Sequence, residues 1–277
     1  GKVWGIALYA DEAQTTGTLV DGWTTSPTAF IRIFAPNEPH EVGTRQGHSG
    51  VWDAAKSRII VSSGTAYALS IADKHVRIEG LQIQYDDSLV SGAAISIGDG
   101  ASTGSPQIRI ENNIIRSRTA GTGPYYGIYA NYPQASFTFR IFNNFIYDAM
   151  TYGFNDASSV ASAGNTYFYH NTVYDCATGL AATGASPRTV HAKNNIVQNA
   201  ATAAYAGTLN AASNYNLSHD ATAPGANSRI NKTGGTAVTF ADAGNDDFRL
   251  SASDTQAQGF GLNISTEGTA SNKYGGY

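Results

Sequence analysis

Two sets of residues in this 277-residue chain have the types and spacing to do chemistry. Arg77, Arg109 and Arg140 recur at like positions of three short segments, VRIEGLQI, IRIENNII and FRIFNNFI, with Glu79 and Glu111 two residues further on in the first two. A row of guanidinium groups suits planar anions such as the carboxylates of an acidic polysaccharide. The same residues can instead neutralise one another as an Arg–Glu ladder, each exposed pair contributing about 0–1 kcal/mol. The second set is Asp148 and Asp175, each preceded by a tyrosine. Carboxylates one strand spacing apart raise one another's pKa, can hold Ca²⁺ if further oxygens converge, and approach the separation used by retaining glycosidases. Asp is also a common corner residue, and Asn199 takes the same place in the next copy. Asp148, Asp175, Arg109 and Arg140 are therefore the candidates for catalysis, and they do not form a convergent cluster. Half of the aromatic residues lie between Tyr125 and Tyr174. Tyr126, Tyr147, Tyr174 and Phe142 are expected to face outward or sit on loops. With Arg77 they form the candidate glycan-binding set, since exposed rings stack on sugar faces, although aromatic ladders also serve stability alone.

The elements that must position these residues are strands. Short alternating runs such as Phe30–Phe34 and Val76–Ile78 dominate, and sustained helical periodicity is almost absent. Five segments align as repeats: 76–83, 108–115, 139–146, 166–173 and 190–197. Their apolar columns are Val76, Ile108, Phe139, Thr166 and Val190; then Ile78, Ile110, Ile141, Phe168 and Ala192; then Ile83, Ile115, Ile146, Val173 and Val197. Between the second and third columns stand Gly80, Asn112, Asn143, His170 and Asn194. Asn and Gly tolerate the left-handed conformation of a sharp corner, and Asn112, Asn143 and Asn194 are expected to form a structural ladder between copies. The lone Cys176 excludes an intramolecular disulfide; it aligns with Ala149 and Ala200 and reads as a buried structural thiol.

Charge and composition narrow the partners. Charged residues make up 14% of the chain and the net charge is −4, which argues against nucleic acid, and no apolar run suits a membrane helix or signal peptide. His40 and His48 flank Glu41 and Arg45 at a spacing that matches no common zinc pattern, and both read as loop residues. No metal site is expected beyond the Ca²⁺ alternative at the Asp pair, and no other cofactor.

The repeats, with their I-x-I-x-N-N-x-I turns, resemble right-handed parallel β-helix proteins. DGWTTSPTAFIRIFAP (21–36), SNYNLSHDATAPG (213–225) and DDFRLSASD (246–254) resemble, more narrowly, an environmental group of surface or virion-associated β-helix proteins. The resemblance implies an all-β fold: a single right-handed parallel β-helix of about nine or ten coils at ~25–30 residues each, with terminal caps. Residues 1–29 are then an N-terminal cap or first coil, 30–217 the coils, and 218–277 the last coils and a cap or tail ending in Tyr274-Gly275-Gly276-Tyr277. The expected function is a non-catalytic scaffold at an extracellular, cell or virion surface, structural or adhesive, with polysaccharide binding and self-association through ends or faces as its partnerships. The alternative implied by the resemblance is a polysaccharide lyase or glycoside hydrolase. Lyases of this fold use a Lys or Arg base, for which Arg77, Arg109, Arg140 and Lys193 are on offer, with a cation quenching the uronate carboxylate.

Overall fold

The computed structural model describes residues 1–41, 45–62, 64–86, 92–98, 107–117, 126–131, 137–158, 164–184 and 188–264. The tail tyrosines lie outside them. The fold is all-β, its main sheets are parallel, and no α-helix occurs among the described residues.

Three parallel ladders arise because the chain visits three faces in constant order, leaving one strand on each. The first face holds β1 (Trp4–Ala7), β3 (Ile31–Phe34), β6 (His75–Glu79), β9 (Gln107–Glu111), β12 (Thr138–Phe142), β14 (Asn165–Tyr169) and β16 (Thr189–Lys193). The second is built from β4 (Arg58–Val61), β7 (Gln82–Tyr85), β10 (Ile114–Arg116), the start of β13 (Phe145–Asp156), the start of β15 (Thr172–Ala182), β17 (Ile196–Gln198) and β19 (Leu217–Ser218). The third comprises β2 (Thr18–Val20), β5 (Tyr67–Ile71), β8 (Ala93–Gly98), β11 (Tyr126–Asn131), the ends of β13 and β15, and β18 (Ala203–Gly207). β13 and β15 run through the corner between the second and third faces and join them into one twelve-stranded sheet.

Pairing registers put the apolar columns in line across one core. Ile31, Val76, Ile108, Phe139, Thr166 and Val190 stack on the first face, and Ile59, Ile83, Ile115, Ile146, Val173 and Val197 on the second. All but Thr166 belong to a single buried apolar cluster that also takes Leu69, Ile95, Ile128, Phe154 and Leu180 from the third face. Alternation does this: in a strand every second side chain points the same way, so a period of two becomes one inward column per strand pair.

The corner between the first two faces is the most regular part of the molecule. Gly80, Asn112, Asn143, His170 and Asn194 all have positive φ there. The residue after each is Leu81, Asn113, Asn144, Asn171 and Asn195, and from Asn113 onward it is a buried asparagine. Each buried amide accepts from the backbone N–H of the rung before it and donates to a rung carbonyl: Asn113 N–H donates to Asn144 Oδ1 at 3.0 Å, and Asn144 Nδ2 donates to Ile110 O at 3.0 Å and to Asn171 Oδ1 at 2.9 Å. The row continues through Asn195 to Asn216, whose own N–H ends on Ser228 Oγ at 2.9 Å. An outer contact runs beside it, Asn143 Nδ2 to Asn112 Oδ1 at 2.6 Å. Thus the ladder column is one residue beyond the corner column, and its members lie in the core where an unmet amide would cost most.

The first face carries seven strands and a bridge, Lys193 to Asn214, and the second carries seven strands with a bridge at either end, Gln14 to Ile59 and Arg229 to Leu217, which makes nine levels on the second face among the described residues. Between β3 and β4 no strand occurs among the described residues, and after residue 232 the chain leaves the stack and folds back along its outside as the antiparallel hairpin β20 (Phe240–Asp242) and β21 (Asp247–Leu250). The register of β13 on β15 slips between Tyr147 and Met150, so Cys176 pairs with Met150 in place of Ala149. The extra residue is a bulge at a corner. The Cys176 thiol is buried.

Candidate functional site

The outward positions of the first face form a column of Arg32, Arg77, Arg109 and Arg140, continued by Tyr167 and His191. Arg32 joins it although a gap of 44 residues, much of it strandless, separates it from the next member and conceals it in the sequence. Two positions along, Phe34, Glu79, Glu111, Phe142, Tyr169 and Lys193 make the neighbouring column. Parallel pairing thus places like charges beside like.

The pairing of these charges is uneven. Arg32 is held between Glu79 and Glu41, both at 2.6 Å. Burial pushes the Glu41 carboxyl up, but the N–H groups of Asn37 and Glu38 and the Arg32 guanidinium override it and hold Glu41 at about 2. Arg109 pairs with Glu111 at 2.9 Å, and burial raises the Glu111 pKa against the pull of Arg109. Arg140 lies 5.6 Å from the Tyr167 ring centre. Arg77 is the exception: half-buried, it lies 3.7 Å over the Phe30 ring and has no hydrogen bond or carboxylate on it among the described residues. Burial, and after it the charge of Arg109, push its pKa below the ordinary arginine value.

A shallow recess of about 100 Å³ opens at this point, lined by Pro27, Phe30, His75, Arg77 and Gln107. His75 and Arg77 share the outward side of β6, and Gln107 pairs in register with His75. Neither the His75 ring nor the Gln107 amide has a hydrogen-bond partner among the described residues, though only 8% of His75 is exposed. Burial, then the charge of Lys74, lower the His75 pKa and favour its neutral form. The recess therefore offers one cation, one neutral imidazole and one amide over an aromatic floor. That is a donor set for a carboxylate, sulfate or phosphate carried on an apolar or sugar body.

The other expected site residues are placed differently. Tyr147 and Tyr174 do stack in one outward column, between Arg116 and Gln198, but the column is not open. The C-terminal hairpin lies on it: the Phe248 ring is 4.6 Å from that of Tyr147 and 4.8 Å from that of Tyr174, and Phe240 meets Tyr174 edge-on at 5.8 Å. Tyr147 is left 1% exposed, and burial raises its hydroxyl pKa. Arg116, stacked 3.5 Å over Trp52, pins the hairpin through Asp246 at 3.0 Å. Phe142 stacks on Tyr169 and is covered by Leu262 and Ile264. The expectation that Tyr147, Tyr174 and Phe142 stand open to a glycan is thus corrected: the protein's own C-terminal segment occupies them. Tyr126 remains half-buried in a stack with Tyr129 and Tyr152, at 4.0 and 5.5 Å.

Asp148 and Asp175 sit with Asn199 at positive-φ corners, at 67°, 53° and 56°, and Asn199 Nδ2 donates to Asp175 Oδ1 at 3.0 Å. No group of three or more His, Cys, Asp or Glu side chains assembles among the described residues. Arg109 and Arg140 flank the recess column without lining the recess. Lys193 closes the Glu column, and its ammonium lies 5.9 Å from the Tyr169 ring centre.

Two placements have little sequence signal. His48 is a corner brace: its Nδ1 accepts from Gly50 N–H, so its Nε2–H donates to Asn112 O at 2.8 Å. Asp156, deeply buried, accepts from Ser158 and Thr166 hydroxyls at 2.7 Å and faces Arg188 at 3.6 Å, whose side chain is fully buried over Phe139.

No family model, curated protein or solved structure matches the chain.

Proposed function

We propose that the three ladders are the faces of a single right-handed parallel β-helix, that it is a non-catalytic scaffold at an extracellular, cell or virion surface, and that its first face binds an acidic glycan at Arg77. The constant cyclic order in which the chain visits the faces supports the fold reading. One observation carries the binding reading: the Arg77, His75 and Gln107 side chains line a recess together with no hydrogen bond or direct ion pair among the described residues, although Arg32 and Arg109 on either side have recruited carboxylates. An anion on Arg77 replaces what Glu79 and Glu111 give its neighbours, and the Phe30 ring receives the apolar face of the sugar.

The test is titration of the purified protein with uronate-rich and sulfated glycans at low and high salt. Binding that weakens with salt and is lost in Arg77→Ala is the expected result. No binding to any anionic glycan, or equal binding by the variant, overturns the reading. A lyase reading is favoured by one observation, the His75 imidazole beside Arg77 in the recess, an arrangement that suits a base next to a neutralised carboxylate. Ultraviolet absorbance from new unsaturated ends, abolished in His75→Ala, would establish it over the scaffold.

A further inference from the structure

The segment before β4 contains a loop fixed to the stack at two points. At the first, His48 makes two hydrogen bonds of fixed sense: Nδ1 accepts from Gly50 N–H at 3.0 Å, and Nε2–H donates to Asn112 O at 2.8 Å. Only a neutral ring can make both. A protonated imidazole carries hydrogen on each nitrogen and has no lone pair left for Gly50. At the second point Asp53 N–H donates to Gln82 Oε1 at 2.6 Å, and Gln82 Nε2 donates back to Asp53 O at 2.9 Å. That clamp is made of backbone groups and an amide, which do not titrate.

The C-terminal hairpin rests on the stretch between the clamps. Gly50, at φ 92°, lies against the Arg249 side chain so closely that a Cβ there would meet Arg249 Cδ at 3.2 Å and the Phe145 ring at 3.7 Å. Trp52 packs into the apolar cluster that the hairpin closes over Tyr147, and its ring carries Arg116, the partner of Asp246 at the hairpin turn. The charged groups of the loop and of the elements packed on it are engaged elsewhere: Glu111, beside Asn112, with Arg109; Arg116 with Asp246; Asp247 with Arg249; Arg45 and Lys56 with backbone carbonyls. His170 stands two rungs along the same corner. Burial lowers the His48 pKa, opposed by the bond to Asn112, and no carboxylate lies on the ring among the described residues.

We propose that His48 is an acid-released latch on the C-terminal hairpin: a proton on Nδ1 sets two N–H groups face to face, drives Gly50 off the ring, and takes from Arg249 and Trp52 the footing on which the hairpin is held. The clamp at Asp53 keeps the loop on the stack, so the opening is local and bares Tyr147 and Tyr174 while the core stays closed. An opened loop takes up its proton near the ordinary 6.5 and the closed one only at lower pH. The closed form is therefore fully favoured above pH 6.5, and the opening constant rises by up to about tenfold per pH unit below it.

Amide hydrogen exchange of the full chain, read by mass spectrometry from pH 8 to 5 and corrected for the pH dependence of free amides, tests the latch. Residues 48–52 and 240–250 are expected to lose protection together, about tenfold between pH 6.5 and 5.5, while β6, β9 and β12 keep theirs. Asp247, held below the ordinary carboxylate range by Arg249, is still ionised there and does not contribute. His48→Asn retains an acceptor for Gly50 N–H without a titratable ring, and its hairpin should stay protected down to pH 5. His48→Ala should open the hairpin already at pH 8. His170→Asn, which puts at that corner the residue found in the rungs on either side, should keep the full acid response. Hairpin protection that is constant with pH, that falls equally in His48→Asn, or that falls while residues 48–52 stay protected, overturns the proposal.

Discussion

On the first face Arg32, Arg77, Arg109 and Arg140 stack rung upon rung; on the second, Gln84, Arg116, Tyr147, Tyr174 and Gln198 do the same. Parallel pairing in register multiplies whatever residue occupies an outward position. Multiplied aromatic surface draws a cover, and here the cover is Phe240 and Phe248 from about a hundred residues downstream. Multiplied positive charge draws anions, and the two nearest glutamates with Glu41 satisfy only part of the column. The apolar column is thus completed within the chain, while the cationic one is left with an opening at Arg77.

The largest effect is expected where both columns share a foundation. Asn144→Ala removes the acceptor of the Asn113 N–H and orphans the Ile110 carbonyl at the corner joining the two faces. Each buried group left unmet costs about 1–3 kcal/mol, so a loss of about 4 kcal/mol is expected in urea unfolding. Phe248→Ala uncovers the second face alone; about 3 kcal/mol should be lost, with Tyr147 becoming reactive to nitration or iodination. Retention of Tyr147 protection would break the claim that the hairpin is the cover.

Acid should act next, the histidines on the first face before the carboxylates on both. Burial lowers the pKa values of His48, His75 and His170 below the ordinary 6.5. The unfolded chain then takes up these protons first, so their stabilisation is complete above pH 6.5 and declines as pH falls below it. Glu41, held at about 2 against an ordinary 4.5, adds a second decline between those values. Asp247 on the hairpin, held below the ordinary carboxylate range by Arg249, and Asp220 and Asp254, held there by hydrogen bonds that outweigh their burial, add to the second decline, so unfolding midpoints measured from pH 8 to 3 should fall in two stages, the histidine stage belonging to the first face and its corner. Glu111→Gln leaves Arg109 without its carboxylate and should cost about 1 kcal/mol, reduced by added salt. Smallest of all, Arg77→Ala should change stability by about 0.5 kcal/mol, because it removes the stacking on Phe30 and a charge with no hydrogen bond or direct ion pair among the described residues. A large loss there would make Arg77 a structural residue and end the contrast between the columns.

Much of this was legible in the residues. The inward columns follow from a period of two carried through five similar segments, and the corners follow from Asn and Gly at one aligned position. Stacking in register then made Arg77, Arg109 and Arg140 neighbours on the page before they were neighbours in space. What escaped depends on contacts without periodicity. Nothing local in DDFRLSASD says that Phe248 will lie on Tyr147, because that contact is made across a hundred residues by a segment outside the repeat. Arg32 escaped because the long passage between β3 and β4 breaks the spacing, and the Asp156–Arg188 pair because neither residue belongs to a repeated column. The recess itself needs Pro27 and Phe30 from a different rung, which alignment of the later segments leaves out.

The buried asparagine row has a consequence for how such a chain can change. Its successive members are 31, 27, 24 and 21 residues apart, yet each makes the same two contacts with the next. Rung height is therefore set by the amides and is independent of how much chain lies between them. Insertions and deletions can accumulate at the other corners without shifting the phase of any strand. The molecule behaves as a ruler with fixed graduations along one edge and free margins along the others, and peptides grafted into those margins would leave the spacing of the arginines untouched.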